Sequence, residues 1–178
     1  GFFGQRRPTG LGPYDNIAGL LMMDTALPVT DIIRTSEIPH GARRNMDFIP
    51  SSKDKMPNVD TVLKNDPIDG LFRLRGILET VEPFYQYVVI DNPPGLSYLS
   101  INSLVGSTHV VIPCQLEAPS IEGLTSALKT IQSVQRQHNP RLQFLGILPT
   151  MCDFRQQEQN EFLASLRGQY NSHILTPI

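Results

Sequence analysis

The run Tyr87-Val88-Val89-Ile90, closed by Asp91 and by the turn at 92–95 (Asn-Pro-Pro-Gly), decides the fold class of this chain. An unbroken run of aromatic and β-branched residues is typical of a strand buried on both faces. Residues 109–112 (His-Val-Val-Ile) form a second such run, and a third, mainly apolar run extends over 142–148 (Leu-Gln-Phe-Leu-Gly-Ile-Leu). The intervals between the runs leave room for helices, which favours βαβ units. We therefore expect an α/β fold with three layers: a mostly parallel sheet, with the strand ending at Asp91 near its centre, and helices on both faces.

Helical periodicity occupies the intervals. Apolar residues recur at three- and four-residue steps over 121–134 and again over 156–170, which predicts a helix with one apolar face in each segment. Shorter elements are predicted at 30–33 (helix), 46–49 (strand), 71–81 (helix) and 173–175 (strand). Because no internal repeat or linker interrupts the pattern, we interpret residues 1–178 as a single domain.

Composition narrows the class of protein. The chain has 178 residues, of which 40% are hydrophobic and 18% charged, and no apolar run approaches the length of a membrane span. A soluble globular protein is expected. The net charge of -2 means that affinity for nucleic acid would have to come from a local basic patch, and the candidates are Arg6 with Arg7, Arg43 with Arg44, and Arg155.

The cysteines and histidines do not suggest a metal centre. Cys114 and Cys152 form no CxxC pair, and the four histidines have no ligand spacing. Free thiols in a reducing cytoplasm fit this pattern better than a disulfide framework.

Asp91 is the strongest candidate for a metal-directed residue in the sequence. A carboxylate delivered by a buried strand at its carboxyl end has the geometry of a Walker B segment, where it reaches Mg²⁺ directly or through water beside nucleotide phosphates. Many buried strands also end in Asp simply because Asp favours the next turn. The strand and carboxylate alone therefore leave both interpretations open.

Motifs along nearly the whole chain resemble, in order and spacing, those of the ParA/Soj-type partition ATPases. Residues 85–96 (Tyr-Gln-Tyr-Val-Val-Ile-Asp-Asn-Pro-Pro-Gly-Leu) resemble the family's aromatic-Asp-Tyr, apolar strand and Asp-x-Pro-Pro-Ser-Leu segment. Residues 111–117 resemble its Ile-Pro-x-Gln-x-Glu strand end, and residues 146–153 its Gly-x-Leu-x-Thr-Met-x-Asp strand and turn. Further matches are 9–12 (Thr-Gly-Leu-Gly), 49–51 (Ile-Pro-Ser), 102–104 (Asn-Ser-Leu) and 122–124 (Glu-Gly-Leu).

This resemblance implies an ATPase of plasmid or chromosome partitioning within the MinD/ParA superfamily of P-loop ATPases. It implies ATP and Mg²⁺ as cofactors, a homodimer when nucleotide is bound, and non-specific DNA binding. It also implies hydrolysis stimulated by a ParB-like centromere-binding protein, a cytoplasmic location and no membrane partner. By position, the implied site residues are Asp91 (catalytic and metal-directed), Pro93, Pro94, Met151 and Asp153 (nucleotide), and Arg155 (DNA).

Three departures from the family pattern qualify these expectations. No Gly-x-x-x-x-Gly-Lys-Ser/Thr phosphate loop occurs in the 178 residues, and residues 1–5 (Gly-Phe-Phe-Gly-Gln) lack the water-orienting aspartate that the family carries before Thr-Gly-Leu-Gly. Gly95 stands in place of the usual Ser. We therefore expect a ParA-like domain truncated at both ends, without its first strand, phosphate loop and C-terminal helices, and inactive as an ATPase by itself.

Two alternatives remain open from the sequence. One is a non-catalytic ParA-like interaction module that has lost the phosphate loop, and the coding sequence upstream of Gly1 would distinguish it from a truncated enzyme. The other is a MinD-like division-site ATPase, which would use an amphipathic C-terminal helix to bind membrane. The turn at 92–95 looks closer to the ParA pattern than to the Asp-Ser-Pro-Ala-Gly form typical of MinD.

Overall fold

The computed structural model describes residues 12–35, 46–93, 95–117 and 119–178, with positions 119, 121 and 122 described by backbone only. The Arg6–Arg7 and Arg43–Arg44 patches, the landmark at 9–11, the segment 1–5 and Pro94 lie outside the described residues. The chain divides into an N-terminal unit, residues 1–92 with 97–102, and a C-terminal unit, residues 93–96 with 103–178. The prediction of one domain over 1–178 stays a prediction, and the two units are described separately.

The N-terminal unit is mainly helical. Its elements, in order, are α1 (Ile17–Met22), α2 (Val29–Ile32), β1 (Arg34–Thr35), β2 (Asp47–Phe48), α3 (Met56–Lys64), α4 (Arg73–Val81) and the start of α5 (Tyr98–Gly106). Strands β1 and β2 pair antiparallel. The predicted elements at 30–33, 46–49 and 71–81 are thereby confirmed to within two residues at each end, whereas α3 was not predicted.

Two apolar clusters hold this unit together. The larger one joins α1, α3, α4 and α5 through the buried residues Ala18, Leu21, Val59, Leu63, Leu74 and Leu99. The smaller one is formed by Val29, Ile33 and Val81. Helix α1 begins where the Asn16 side chain accepts hydrogen bonds from the backbone N–H groups of Ala18 and Gly19, which satisfies two donors at the helix start.

Asn102 connects α5 to the start of α4. Its side chain is fully buried, its Oδ1 accepts a hydrogen bond from the Leu74 N–H at 3.0 Å, and its Nδ2 donates to the Gly70 carbonyl. A single side chain of α5 thus binds both the Leu74 N–H and the Gly70 carbonyl. The residue that matched the family's Asn-Ala-Leu helix is therefore a structural link within this unit.

Replacing Asn102 with leucine is expected to destabilise the protein by about 2–4 kcal/mol, because it leaves a buried N–H and a buried C=O without this partner. The measurement is the free energy of unfolding from urea titration. Asn58→Leu, on the exposed side of α3, is the control and is expected to change stability by less than about 0.5 kcal/mol. Equal stabilities for the two variants would contradict the assigned role.

The C-terminal unit contains the parallel sheet. Strand β3 (His109–Gln115) pairs parallel with β4 (Gln143–Thr150), and α6 (Pro119–Gln137) connects them. Helix α7 (Gln157–Tyr170) follows β4, and a single parallel bridge joins Ile174 to Ile147. The core consists of Cys114, Leu116, Leu124, Ile147, Leu163 and Leu166. The predicted helices at 121–134 and 156–170 and the strands at 109–112 and 142–148 are confirmed, and the α/β fold class with them.

Gly146 allows β4 to lie close to the segment at 173–175. Residue 145 is an extra residue between the partners of Val110 and Val111, so the ladder is irregular at this point. Gly146 has φ of +145°, which side-chain-bearing residues rarely adopt, and a Cβ placed there would lie 2.5 Å from the His173 carbonyl oxygen. The backbone can follow this path only with glycine.

The run at 87–90 does not behave as predicted. No strand in the described part of the N-terminal unit pairs with it, and Tyr87 and Val89 are 82% and 91% exposed. The expectation of a central sheet strand ending at Asp91 is therefore wrong for the described residues. A buried strand needs neighbours on both edges, and the family resemblance had predicted altered pairing here because the family's first strand lies beside this one. The final strand at 173–175 is likewise reduced to the bridge at Ile174, preceded by a 3₁₀ turn over 171–173.

Candidate functional site

An open cleft of about 670 Å³ lies in the C-terminal unit, at the carboxyl ends of the two parallel strands. Cys114 and Gln115 at the end of β3 and Thr150 at the end of β4 form part of its lining. In α/β sheets, this edge is where ligands bind, because the strand ends and the following loops leave a crevice there. The cleft is therefore the best-placed candidate site in the described part of this unit.

The lining of the cleft is mostly apolar with a few polar groups. Apolar contributions come from Leu96, Ile112, Pro113, Leu124 and Ala127. Polar groups come from Gln115, Ser120, Ser126 and Thr150. This mixture is usual for sites that hold a small organic ligand, in which a few polar groups fix its orientation. Burial raises the pKa of the Cys114 thiol, so this cysteine is a packing residue and not a reactive thiolate.

The turn that was predicted to be functional leads into this cleft. Gly95, the last residue of the turn at 92–95, and Leu96, which follows it, both line the cleft. Pro93, in the same unit as the cleft, is exposed. Asp91 itself is an exposed residue of the N-terminal unit. Its role in binding Mg²⁺ stays a prediction, as do the nucleotide contacts of Pro93 and Pro94.

Met151 lies just beyond β4 in a backbone conformation that is uncommon for methionine. Its φ is +55°, in the left-handed region, and its side chain is 77% exposed. The Gln115 side-chain Nε2 lies 3.2 Å from the Met151 sulfur, so the ends of β3 and β4 meet through these two side chains. Exposed strained residues concentrate at ligand sites, which supports but does not test the predicted contact with a nucleotide base.

Asp153 and Arg155 form a two-point ion pair. Arg155 Nε donates to Asp153 Oδ1 at 2.8 Å, and Arg155 Nη2 donates to Asp153 Oδ2 at 3.0 Å. The side-chain hydrogen bond from Arg155, followed by that from its backbone N–H, holds the pKa of Asp153 below its ordinary value. The two predicted site residues are thus brought together, an arrangement that the sequence reading had not anticipated.

Neither a metal-binding cluster nor a membrane-spanning helix is present within the described ranges. No group of three or more His, Cys, Asp or Glu side chains is arranged to hold a metal ion there. In that same part of the chain, no helix is both long enough and apolar enough to cross a membrane.

Solved structures share this fold. Cobyrinic acid a,c-diamide synthase from Mycobacterium smegmatis, crystallised with bound ADP and magnesium, superposes with a TM-score of 0.76 at 24% identity, over 95% of this chain and 64% of that one. A plasmid partition protein from Borrelia burgdorferi gives 0.71 at 22% identity, over 95% and 66%. The fold is thus the α/β fold of the P-loop NTPases, as the sequence predicted.

Sequence comparison identifies the family. The AAA_31 family model, described as an AAA domain, matches residues 14–144. The chromosome partitioning protein ParA of Myxococcus xanthus is 31% identical over 173 residues, which is 96% of this chain and 59% of that protein. The chain belongs to this AAA domain family, and the ParA/Soj type recognised from its motifs is confirmed. It spans about three fifths of the length of the first curated relatives that it matches.

Proposed function

We propose that this chain is the body of an ATPase that segregates plasmids or chromosomes in the cytoplasm. In the proposed cycle, Mg-ATP binding drives dimerisation of a single ParA-like domain, the dimer binds DNA without sequence preference, and a ParB-like centromere-binding protein stimulates hydrolysis. The observation that carries the proposal is family membership through a match that runs over nearly the whole chain.

The cleft in the C-terminal unit supports nucleotide binding. It opens at the strand ends, where α/β proteins bind ligands. Thr150 lines the cleft, and Met151 is the next residue along the chain. The donor set of the chain also fits Mg-ATP: Mg²⁺ takes one or two carboxylates and completes its shell with water and phosphate oxygens, and Asp91 is an exposed carboxylate available for this. Bound Mg²⁺ would supply neutralisation of the charge on the phosphates.

Each of the chain's own residues has a defined task in this proposal. Asp91 would hold Mg²⁺, directly or through water. Pro93 and Pro94 would contact the nucleotide from the turn after Asp91, and Met151 and Asp153 would contact it on the side of the base. The phosphate loop, which the 178 residues do not contain, would supply the N–H groups and lysines that bind the phosphates.

Arg155 is the proposed DNA contact. Its side chain is 91% exposed, and it lies in the loop between β4 and α7. An exposed guanidinium binds backbone phosphates irrespective of base sequence, and this binding weakens as salt displaces the contact. These 178 residues carry a net charge of only -2, so they repel DNA weakly and do not oppose such a contact strongly.

Replacing Arg155 with alanine is expected to weaken the ATP-dependent binding of all duplex sequences alike and to reduce the salt slope of log K by up to about 1. The measurement is fluorescence anisotropy with two unrelated duplexes, using the protein extended upstream through its phosphate loop. Lys53→Ala, an exposed cation of the loop before α3, is the control.

Absence of ATP-dependent DNA binding by the extended wild-type protein would contradict the proposed function. If that protein neither bound nor hydrolysed ATP, the result would favour a ParA-like interaction module. Binding to vesicles in place of DNA would favour a MinD-like ATPase.

A further inference from the structure

The ion pair between Asp153 and Arg155 uses the edge of the guanidinium that suits a phosphate best. The Nε and Nη2 groups form one side of the planar fork, and both donate to the two oxygens of the Asp153 carboxylate. A phosphate offers the same pair of oxygens at nearly the same spacing. The carboxylate therefore occupies the position that a DNA phosphate would take for two-point binding to this edge.

Two further hydrogen-bond donors of the same turn bind the Asp153 carboxylate and help to hold it against Arg155. The Arg155 backbone N–H donates to Asp153 Oδ1 at 3.2 Å, and Gln156 Nε2 donates to Asp153 Oδ2 at 3.3 Å. Four hydrogen bonds thus converge on one carboxylate.

Asp153 is held in place independently of Arg155. Its backbone N–H donates to Gln159 Oε1 at 2.8 Å, and its carbonyl accepts from the Gln156 N–H at 3.0 Å. Asn160 Nδ2 donates to the Phe154 carbonyl at 2.8 Å, which fastens the turn to α7. The carboxylate therefore does not need to be ordered by the arginine, and the pair forms with a small loss of conformational freedom.

The accessibility of the two partners differs. The Asp153 side chain is 32% exposed, whereas that of Arg155 is 91% exposed. The guanidinium can therefore meet a phosphate, but with its Nε and Nη2 protons already engaged and its charge offset by the neighbouring carboxylate. Exposed ion pairs exchange readily, so a phosphate can displace the carboxylate at a modest loss of affinity.

We propose that Asp153 masks Arg155 and thereby lowers the affinity of this surface for nucleic-acid phosphates. The inference rests on the proposed DNA contact of Arg155. In this inference, Asp153 lowers the affinity of the protein for DNA. The masked arginine contributes a weak contact that breaks easily, which suits a protein that binds DNA reversibly.

The test uses the extended protein with Mg-ATP, a non-specific duplex and a salt titration for wild type, Asp153→Asn, Arg155→Ala and the double variant. Asn keeps the size of the side chain but removes the charge that competes with phosphate. Asp153→Asn is expected to bind DNA about fivefold more tightly, the range of an exposed ion pair. Its salt slope is expected to steepen by up to about 0.9, one phosphate contact.

Glu158→Gln is the matched control, because Glu158 is an exposed carboxylate of the same loop-helix junction and its replacement changes the net charge equally. A gain below about twofold is expected for it, since a screened charge that does not contact the arginine acts weakly. The double variant is expected to bind DNA like Arg155→Ala when Mg-ATP is saturating for every variant, because the charge of Asp153 then affects DNA binding only through the arginine.

Three results would overturn the inference. If Arg155→Ala weakens binding but Asp153→Asn does not strengthen it, Asp153 orients the arginine and does not mask it. If Asp153→Asn strengthens binding equally in the presence and absence of Arg155, the carboxylate repels DNA directly. If the wild type binds no DNA, the proposed function itself fails, and the inference with it.

Discussion

Turnover of Mg-ATP is expected to fall by at least about 100-fold when Asp91 is replaced with alanine in a version of the protein extended upstream through its phosphate loop. Phosphoryl transfer depends on positioning and on neutralising the charge of the phosphates, so removing one group that does this has an effect on the order of 10²–10³. The resemblance to the family motif predicts that Asp91 binds Mg²⁺, directly or through water.

The measurement is phosphate release at saturating ATP as a function of Mg²⁺ concentration. Asp91→Asn, which keeps the shape but not the charge, is expected to lose nearly as much, and Asp54→Ala, at an exposed position before α3, is expected to retain wild-type turnover. The 178-residue chain alone is expected to give no turnover above background. Hydrolysis by that chain, or by the Asp91→Ala variant at the wild-type rate, would contradict the assigned chemistry.

Replacing Gly146 with valine is expected to destabilise the protein by about 3 kcal/mol or more, because backbone strain and a steric clash coincide at this position. Its φ of +145° is unfavourable for any side chain, and a Cβ would lie 2.5 Å from the His173 carbonyl oxygen and 3.0 Å from Leu175 Cγ. Either β4 or the segment along it would have to move.

Urea unfolding of Gly146→Val beside Gly168→Ala provides the measurement. Gly168 lies in α7 with open space around its Cα, so alanine there is expected to stabilise the helix by up to about 1 kcal/mol. The two glycine replacements should therefore change stability in opposite directions. An unchanged midpoint for Gly146→Val would mean that the irregularity in β4 tolerates a side chain.

Local patterns predicted the C-terminal unit well. The three- and four-residue spacing of apolar residues identified α6 and α7, because one face of each helix packs against the sheet and the other faces water. A run of β-branched residues identified β3, and a mainly apolar run of leucines, Phe144 and Ile147 identified β4. Both strands extend beyond the predicted runs at 109–112 and 142–148, because the ladder continues through Pro113 and Pro149 to Gln115 and Thr150.

The same kind of pattern gave the wrong result at 87–90. An apolar β-branched run indicates that a segment prefers an extended, buried environment, but burial and pairing depend on which strands are present beside it. Within the described part of the N-terminal unit no strand pairs with this run, and Tyr87, Val88 and Val89 are exposed. Helix α3 was missed for the opposite reason: only Val59 and Leu63 are buried in it, too few to give a clear period.

The roles of the predicted site residues stay predictions, and the contact between Asp153 and Arg155 was not predicted. The resemblance pointed to Asp153 and Arg155 separately, as a nucleotide contact and a DNA contact. The sequence did contain a signal for a direct ion pair, because Asp153 lies two residues before Arg155 at the start of a turn. The two-point geometry of the pair depends on how the hydrogen bonds of that turn join it to α7, which the sequence does not show. The roles of Asp91, Pro93, Pro94 and Met151 stay predictions.

The long connection between β3 and β4 also has consequences for how this half of the protein folds. Residues that pair in the ladder, such as His109 and Gln143, are roughly 34 positions apart, so closing it demands a large loss of chain entropy before any bond forms. Helix α6 shortens that search, because once formed it spans most of the interval as a rigid rod. Leu124 of this helix lies in the same buried cluster as Cys114 and Ile147, so the formed helix carries an apolar group that packs against both strands. We therefore expect α6 to be structured in the folding transition state, and the ladder to close late.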